Sequence, residues 1–342
     1  MKKLTSALTT LTICAAALTG CASTAEVAES TTAAPVAETS AEETSEETTE
    51  TTEEWTMPTQ AQIDYNYETE IPQEYTMKYK DGDVGTVEKI TYHANDYIGD
   101  GEGCDKDAFV YLPANYDPEG QYDVIYLMHG IGGNEFEWGL NLENSELKNI
   151  LDNLIGRGDI DPIILVTPNG KAWGCRPGND FESFYDFGYE LRNDLIPYIE
   201  ENYATYADFN ADGYDMSATR EHRAMAGLSM GGMQTINIGI GECMDLFSRF
   251  GAFSAAPTSN PSNTVAQDID SSEYKLDYFY NICGTDDDIA YASASGAAKD
   301  LIGKCDALVP NENFTWQQQP GGHDWPIWYL GIYNFAKIAW AE

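Results

Sequence analysis

The amino-acid sequence predicts an α/β fold in which a mostly parallel sheet is covered by helices on both faces. From about residue 85 onward, segments with strand-like and helix-like patterns alternate. Two short segments, 124–128 and 163–166, are almost wholly apolar, as is typical of strands that are buried on both faces. Strands of this kind that alternate with helices indicate a parallel sheet with helical crossover connections.

The individual elements follow from local patterns along the chain. Segments 85–92 and 108–112 have β patterns on either side of a turn rich in Gly and Asp, and later strands are predicted at 124–128, 163–166, 223–226, 250–254, 278–283 and 314–318. Helices are predicted at 145–155, 189–203, 233–240, 292–305 and 327–341. In the first helix, apolar residues from Leu147 to Leu154 recur at helical spacing, which predicts one buried face.

The N-terminal end has the pattern of an export signal. Lys2 and Lys3 precede an apolar stretch, residues 4–18, that is too short and too rich in Thr for a good membrane-spanning helix. The small residues before Cys21 resemble a bacterial lipobox, in which the cysteine receives lipid and becomes the new N-terminus. We therefore expect residues 1–21 to be a lipoprotein signal peptide and the protein to be an extracellular, cell-surface lipoprotein. An ordinary signal peptide that is cleaved nearby is the alternative.

The next segment, residues 22–56, has the composition of a disordered tether. Ala, Ser, Thr and Glu dominate it, and it contains one Pro and no basic residue. Such a segment has too few apolar groups to offset the entropy lost on ordering, and its negative charges repel one another. We expect it to hold a single catalytic domain, residues 57–342, away from a membrane that the protein touches only through its lipid.

Charge and cysteine content restrict the partners further. The formal net charge is −39, from 57 acidic and 18 basic residues, which argues against nucleic acid and bare anionic lipid and is compatible with neutral polysaccharide. Solubility alone would also explain it. Seven cysteines are present, and five remain after Cys14 and Cys21, so at least one free thiol or an outside partner is expected. Cys243 and Cys283 lie in apolar contexts and are predicted to pack as small hydrophobic residues.

Residues 227–231, Gly-Leu-Ser-Met-Gly, form a G-x-S-x-G motif between a predicted strand and a predicted helix. A sharp strand-to-helix turn puts the central serine, Ser229, in a strained conformation, and side chains at the two glycine positions would clash. The turn also directs the helix N-terminus and the Met230 N–H at a developing oxyanion. This context predicts a nucleophile, whereas the alternative is a glycine-rich turn that happens to contain a serine.

A serine nucleophile needs a base and an acid. In folds with this turn the order along the chain is Ser, acid, His. Of the four histidines only His323 follows Ser229, since His93, His129 and His222 precede it. The acid is expected after the strand at 278–283, where three adjacent aspartates, residues 286–288, are all possible from the residues alone.

Two further groups of residues are predicted near the site. The glycine-rich loop 129–133 follows a buried strand and offers a second oxyanion donor, the Ile131 N–H, while the His129 imidazole is more consistent with a structural role. Trp138, Trp173 and Trp325 lie in or beside loops expected near Ser229, as does Trp328, and their flat faces suit an aryl acid or a sugar ring. Burial in the core is the alternative for each tryptophan.

Six stretches resemble the feruloyl and acetyl-xylan esterases of carbohydrate esterase family one, within the esterase D group of α/β-hydrolases. They are residues 126–133 (Tyr-Leu-Met-His-Gly-Ile-Gly-Gly), 195–200 (Leu-Ile-Pro-Tyr-Ile-Glu), 221–232 (Glu-His-Arg-Ala-Met-Ala-Gly-Leu-Ser-Met-Gly-Gly), 254–257 (Ser-Ala-Ala-Pro), 283–287 (Cys-Gly-Thr-Asp-Asp) and 321–324 (Gly-Gly-His-Asp). The family pattern Gly-Thr-x-Asp selects Asp287 as the acid. The resemblance implies an α/β-hydrolase fold and removal of feruloyl or acetyl groups from plant polysaccharide such as xylan, without metal or organic cofactor.

One segment departs from the family pattern, and two other functions remain open. Asp208, Asn210 and Asp212 have the spacing that begins a calcium loop, but Thr219 stands at position twelve where glutamate is expected, so an Asx-type turn is favoured. The alternative functions are an esterase D-like hydrolase of small or lipid esters and a non-catalytic surface lipoprotein that binds carbohydrate. The export signal counts against a cytosolic hydrolase, and the complete Ser, Asp and His set counts against a binding protein.

Overall fold

The structure is a computed structural model that describes residues 66–99, 101–172 and 181–341. The predicted signal peptide, Cys21 and the predicted tether lie outside these residues. The chain from residue 58 onward forms one compact unit. Within the described part of the chain no helix is both long and apolar enough to cross a membrane.

Eight strands form one sheet in the order β1-β2-β4-β3-β5-β6-β7-β8. Their bounds are β1 Thr86–Ala94, β2 Cys104–Leu112, β3 Asp123–Met128, β4 Ile163–Pro168, β5 Arg223–Leu228, β6 Arg249–Phe253, β7 Tyr278–Gly284 and β8 Phe314–Gln319. Strand β2 pairs antiparallel with β1 and β4, and the remaining neighbours are parallel. The predicted α/β fold with a mostly parallel sheet is therefore confirmed.

Eight α-helices accompany the strands in the described residues. They are α1 Gln73–Thr76, α2 Glu146–Arg157, α3 Phe187–Glu190, α4 Ile196–Asn202, α5 Met230–Gln234, α6 Ser262–Ser271, α7 Tyr291–Ile302 and α8 Trp325–Ile338. A π-helical stretch, Leu191–Leu195, joins α3 to α4, and another, Thr235–Ile240, extends α5. Helices α1 and α6 were not predicted, and α5 begins three residues earlier than predicted, directly after the serine of the G-x-S-x-G motif.

The sheet separates two apolar layers. Val124, Tyr126 and Met128 of β3 pack into one layer, whereas Ile125 and Leu127 pack into the other. This alternation follows from the two-residue period of a strand, and both faces are buried because α2 and α8 cover one side while α6 and α7 contribute to the other. The uniformly apolar run of β3 was correctly interpreted as a strand buried on both faces.

The cysteines and the acidic segment near residue 210 can be compared with their predicted states. Cys104 is disulfide-bonded, whereas Cys243, Cys283 and Cys305 are free and buried, as predicted for Cys243 and Cys283. The Asp208 carboxylate accepts a hydrogen bond from the Asn210 N–H at 3.2 Å, which is an Asx-type turn. In residues 66–99, 101–172 and 181–341 no three His, Cys, Asp or Glu side chains are grouped as metal ligands.

Candidate active site

Ser229 lies at a strained turn between β5 and α5. Its φ of 53° and ψ of −112° place it in a region that non-glycine residues rarely adopt. A Cβ atom at Gly227 would lie 2.6 Å from the Gly231 carbonyl carbon, and one at Gly231 would lie 2.6 Å from the Met128 carbonyl oxygen. Both glycines of the motif are therefore required by close backbone contacts.

Backbone hydrogen bonds to the neighbouring strand hold this turn in place. The Ser229 N–H donates to the Phe253 carbonyl at 2.9 Å, and the Ser229 carbonyl accepts from the Ala256 N–H at 2.9 Å. Both partners belong to the end of β6 and the loop that follows it. The surrounding sheet thereby maintains a conformation that the serine backbone alone would not favour.

Three predicted side chains meet at the carboxyl-terminal edge of the sheet, where the loops after β5, β7 and β8 converge. The Nε2 atom of His323 lies 2.9 Å from the Ser229 Oγ, and its Nδ1 atom lies 2.8 Å from the Asp287 Oδ2. Asp287 is 3% exposed, whereas Asp286 and Asp288 are exposed. The structure thus brings together Ser229, His323 and the one aspartate that the family resemblance selected.

The Asp287 carboxylate is surrounded by hydrogen-bond donors. Its Oδ1 accepts from the N–H groups of Ile289 at 3.0 Å and Ala290 at 2.8 Å, and its Oδ2 accepts from His323. Burial by itself raises the pKa of this carboxyl, but the Ala290 N–H and the imidazole outweigh burial, so the pKa lies below its ordinary value. An ionised Asp287 fixes the proton of neutral His323 on Nδ1 and leaves Nε2 free to accept from the serine hydroxyl.

Cys283 and Ser254 complete the surroundings of this carboxylate, and sequence reasoning assigned neither a polar role. The Cys283 Sγ lies 3.5 Å from the Asp287 Oδ2, and the Ser254 hydroxyl contributes to lowering the pKa of Asp287. Burial, and then the charge of Asp287, raise the pKa of the Cys283 thiol to about 12, so it remains a protonated donor. Ser254 is fully buried and has a φ of 45°. Its strained backbone is held in place by the hydrogen bond from its N–H to the Ile282 carbonyl at 2.8 Å.

The two predicted oxyanion donors belong to segments that adjoin Ser229. Met230 is the first residue of α5. Ile131 follows Gly130, where a Cβ atom would lie 2.7 Å from the Leu228 Cδ1 and 3.4 Å from the Ser229 Cβ. The loop after β3 therefore packs closely against the turn that carries Ser229, and its glycine permits this approach.

His129 holds this loop to its neighbour. Its Nδ1 donates to the Gly130 carbonyl at 2.8 Å, and its Nε2 accepts from the Gly170 N–H at 3.0 Å. Burial lowers the pKa of His129 to about 4, and the positive charge of Lys171 contributes to the same direction. His129 is therefore a neutral link between the loops after β3 and β4, as its predicted structural role requires.

The prediction that Trp138 contacts substrate is wrong. Trp138 is 1% exposed, and its indole N–H donates to the Met128 carbonyl at 3.1 Å. Its ring packs edge-on against Phe253 and Trp325. The side chain is part of the core because the loop after β3 folds back over the sheet. Trp173 lies outside the described residues.

Trp325 and Trp328 differ in how they are placed relative to His323. Trp325 is half-buried, stacks on Tyr329, and lines a cavity of about 360 Å³ that Ser229 and His323 do not line. Trp328, which is 8% exposed, contacts the His323 ring edge-on at a centroid distance of 5.2 Å. Sequence position relative to His323 could not separate the two, since the turn of α8 decides which side chain faces the imidazole.

Similarity to known proteins agrees with this geometry. Residues 101–330 match the Esterase family. The chain is 35% identical over 190 residues to endo-1,4-beta-xylanase Y of Acetivibrio thermocellus, which covers 54% of this chain and 17% of that protein. It is 35% identical over 179 residues to an endo-1,4-beta-xylanase/feruloyl esterase of Xylanibacter ruminicola, with 48% and 22% covered. The chain thus matches about a fifth of the length of these curated relatives.

Solved structures extend the similarity over most of the fold. A CE1 ferulic acid esterase from Anaeromyces mucronatus superposes with a TM-score of 0.65 at 26% identity, which covers 80% of this chain and 98% of that one. The feruloyl esterase module from Clostridium thermocellum, a serine-to-alanine mutant complexed with sinapinate, gives 0.63 at 29% identity, with 79% and 94% covered. The chain therefore belongs to the esterase family and shares the α/β-hydrolase fold of these CE1 ferulic acid esterase structures.

Proposed function

We propose that this protein is a serine esterase that removes feruloyl or acetyl groups from plant cell-wall polysaccharide such as xylan. The observation that carries the proposal is the continuous set of hydrogen bonds from the Ser229 hydroxyl through both ring nitrogens of His323 to Asp287. A protein that only bound carbohydrate would gain nothing from a strained serine held within hydrogen-bond distance of an imidazole.

The first half of the reaction forms an acyl-enzyme. The Ser229 Oγ attacks the ester carbonyl while its proton moves to the His323 Nε2, and the ionised Asp287 stabilises the resulting imidazolium. The N–H groups of Met230 and Ile131 stabilise the negative charge on the former carbonyl oxygen. When the intermediate collapses, the bond between the acyl carbon and the sugar oxygen breaks, and the imidazolium gives its proton to that oxygen, which leaves as a hydroxyl.

The second half restores the enzyme. Water enters in place of the sugar and gives one proton to the His323 Nε2 as its oxygen attacks the acyl carbonyl. Collapse of this second intermediate breaks the bond to the Ser229 Oγ, which takes back the proton from His323. The products are a carboxylic acid and a polysaccharide with a free hydroxyl, and no metal or organic cofactor takes part.

The relatives and the exposed residues around the site support an aromatic acyl group. One relative is an endo-1,4-beta-xylanase/feruloyl esterase, and one solved relative is a feruloyl esterase module complexed with sinapinate. Ile131 lies in the oxyanion loop and Ile289 lies two residues after Asp287; they are 55% and 57% exposed, and they offer apolar contacts for an aryl group. Trp173 remains a predicted contact, so Trp173→Ala should lower kcat/KM for methyl ferulate more than for a simple acetate.

The proposed site of action is the outside of a bacterial cell. A lipid on Cys21 and an extended segment at residues 22–56 would hold the domain of residues 57–342 near an insoluble substrate. Cys21→Ala should move the protein from the membrane fraction to the medium, measured by fractionation of expressing cells. Equal membrane association of both proteins would contradict the lipid anchor and would leave the esterase proposal intact.

The decisive experiment measures ferulate and acetate release from arabinoxylan side by side, with the wild-type protein and with Ser229→Ala. The wild type should release ferulate, and the serine variant should lose at least about a thousandfold in turnover, since binding and oxyanion contacts alone leave little catalysis. Release of acetate alone would assign the enzyme to acetyl-xylan. Equal activity of Ser229→Ala, or release of neither acid, would contradict the proposal.

A further inference from the structure

A cavity of about 310 Å³ lies between α6, α7 and the sheet. We refer to it as the α6–α7 cavity. Its walls come from the loop after β6, from α6 and α7, and from β7, and none of Ser229, Asp287 and His323 lines it. Its volume is about twice that of a 150 Å³ engineered apolar cavity that binds benzene, so a substituted benzene ring fits.

Small side chains create the space. Ala255, Ala294 and Ala298 line the cavity where larger residues would fill it, and the remaining wall is largely apolar, including Val265 and Phe279. Four of these five residues belong to the same apolar cluster between the helices and the sheet. The α6–α7 cavity is therefore an opening in the core layer rather than a groove between polar surface loops.

One polar atom in this wall has no partner. Asn281, on β7, is 4% exposed and lines the cavity, and its Oδ1 accepts no hydrogen bond among the described residues. On the same face of the strand, the Phe279 side chain has no hydrogen-bond donor, and the Cys283 thiol is directed at Ser254 and Asp287 instead. A buried amide oxygen without a donor is unfavourable, and a ligand that brings an O–H or N–H group would remove that cost.

The rim of the cavity discriminates against charge. The Lys304 ammonium donates to the Ser262 Oγ at 3.0 Å and to the Asp300 Oδ2 at 3.2 Å, and both of these residues line the cavity. Because Lys304 and Asp300 form an ion pair, the described residues of the rim offer no unpaired charge that would attract an anionic or a cationic ligand. An apolar wall, an acceptor inside and a neutral rim together fit an uncharged molecule with one donor.

We propose that the α6–α7 cavity is a second binding site, which takes a small neutral phenol whose O–H donates to the Asn281 Oδ1. The ring occupies the space left by the alanines, and the hydroxyl satisfies the buried amide oxygen. The walls of this site contain none of Ser229, His323 and Asp287, and the proposal does not depend on the activity proposed for those residues.

The experiment compares two probes of the same shape, 4-ethylphenol and 4-ethylanisole, which lacks the donor. Their binding to the full-length protein is measured by calorimetry, with Ser229 either free or blocked by a covalent phosphonate. The phenol should bind about tenfold more tightly than the anisole, the effect of one hydrogen bond to a buried acceptor, and blocking Ser229 should not change this ratio.

Two variants locate the binding. Asn281→Leu should abolish the preference for the phenol and should not lower Tm, because it replaces an unpaired amide by an apolar side chain with the same branching, which the adjoining cavity can accommodate. Ala297→Phe, at a half-buried position in the wall, should fill the cavity and abolish binding of both probes. Turnover of a small acetate ester by each variant serves as the test of folding.

Three results would overturn the proposal. Equal affinity for the two probes would show that the Asn281 amide oxygen makes no bond to the ligand. Binding that is lost when Ser229 is blocked but survives Ala297→Phe would assign the probes to the ester-cleaving centre. An active Asn281→Leu variant that still prefers the phenol would exclude the amide as the acceptor.

Discussion

Two histidines flank the turn that carries Ser229, and their hydrogen bonds differ in one decisive respect. The Nδ1 of His129 donates to the Gly130 carbonyl, whereas the Nδ1 of His323 donates to the Asp287 carboxylate. The Nε2 of His129 accepts from the Gly170 N–H, while the Nε2 of His323 faces the Ser229 hydroxyl. A carbonyl orients a ring as well as a carboxylate does, but it carries no charge to balance an imidazolium.

The difference explains why one histidine is suited to structure and the other to proton transfer. His129 is 1% exposed and has a pKa of about 4, so it stays neutral and keeps both of its hydrogen bonds. His323 has a partner whose own pKa is lowered and which therefore remains ionised when the ring takes up a proton. Burial and an uncharged Nδ1 partner together make His129 a structural link, whereas the ionised Nδ1 partner of His323 suits that ring to act as a base.

Asp287→Asn tests this comparison most directly, because it gives His323 an uncharged partner like that of His129. We expect kcat to fall by about ten-thousandfold, since the amide neither stabilises the imidazolium nor favours the tautomer with the proton on Nδ1. Initial rates with methyl ferulate and with an acetate ester measure the effect.

Asp286→Asn and Asp288→Asn are matched controls for this prediction. Both carboxylates are exposed and adjacent to Asp287, so both variants change the same charge in the same loop. We expect them to retain nearly full turnover. Similar losses in all three variants would mean that loop charge, rather than the bond to His323, determines the rate.

His129 should make folding stability depend on pH. The unfolded chain takes up a proton on this histidine at about pH 6.5, whereas the folded protein does so only at about pH 4. Between these values the unfolded state binds more protons, so stability is present above about pH 6.5 and is lost as the pH falls. The loss attributable to His129 should reach about 3 kcal/mol on going from about pH 7 to about pH 4.

Urea unfolding of the wild type and of His129→Gln across this range isolates the contribution. The two proteins share every other titrating group, including the many carboxylates, so the difference between their free energies of unfolding reports His129. The wild type should be the more stable at neutral pH and should lose that advantage on acidification. Parallel curves would mean that the folded protein accommodates the imidazolium.

Local patterns were sufficient to locate the serine and the histidine of the site. The glycines around Ser229 are required by backbone contacts that any strand-to-helix turn of this kind makes, and chain order left only His323. The choice of Asp287 among three aspartates needed the family resemblance, because all three follow β7. Their difference is burial, which depends on how the loop closes against His323.

Side-chain partners across the fold were not accessible from the sequence. Trp138 was expected to contact substrate, but its N–H bonds the Met128 carbonyl at the end of β3, a contact that depends on the path of the whole loop. Cys283 was expected only to pack, because its neighbours in sequence are apolar. The turn after β7 brings the Asp287 carboxylate, four residues later in the chain, back to within 3.5 Å of the Cys283 thiol. Helix α6 contains three buried apolar residues, Val265, Ala266 and Ile269, too few to predict it.

Substitution of Cys283 tests the comparison between the two histidines through the smallest expected change in rate. Its protonated thiol lies 3.5 Å from the same Asp287 oxygen that accepts from His323. If the charge on this carboxylate determines how well His323 works, removing a weak donor should change the rate slightly by altering the carboxylate's orientation and solvation. We expect Cys283→Ala to lower kcat/KM by about fivefold, within the range of a single modest hydrogen bond.

Cys243→Ala is the control, because Cys243 is also free and buried but has no contact with Ser229, His323 or Asp287 among its described interactions. Both substitutions remove one buried thiol, so their effects on Tm should be similar. Only Cys283→Ala should lower kcat/KM, and Cys283→Ser, which restores a donor, should recover part of the loss. Equal rates for Cys283→Ala and Cys243→Ala would mean that the backbone N–H groups of Ile289 and Ala290 suffice to hold Asp287 in its working position.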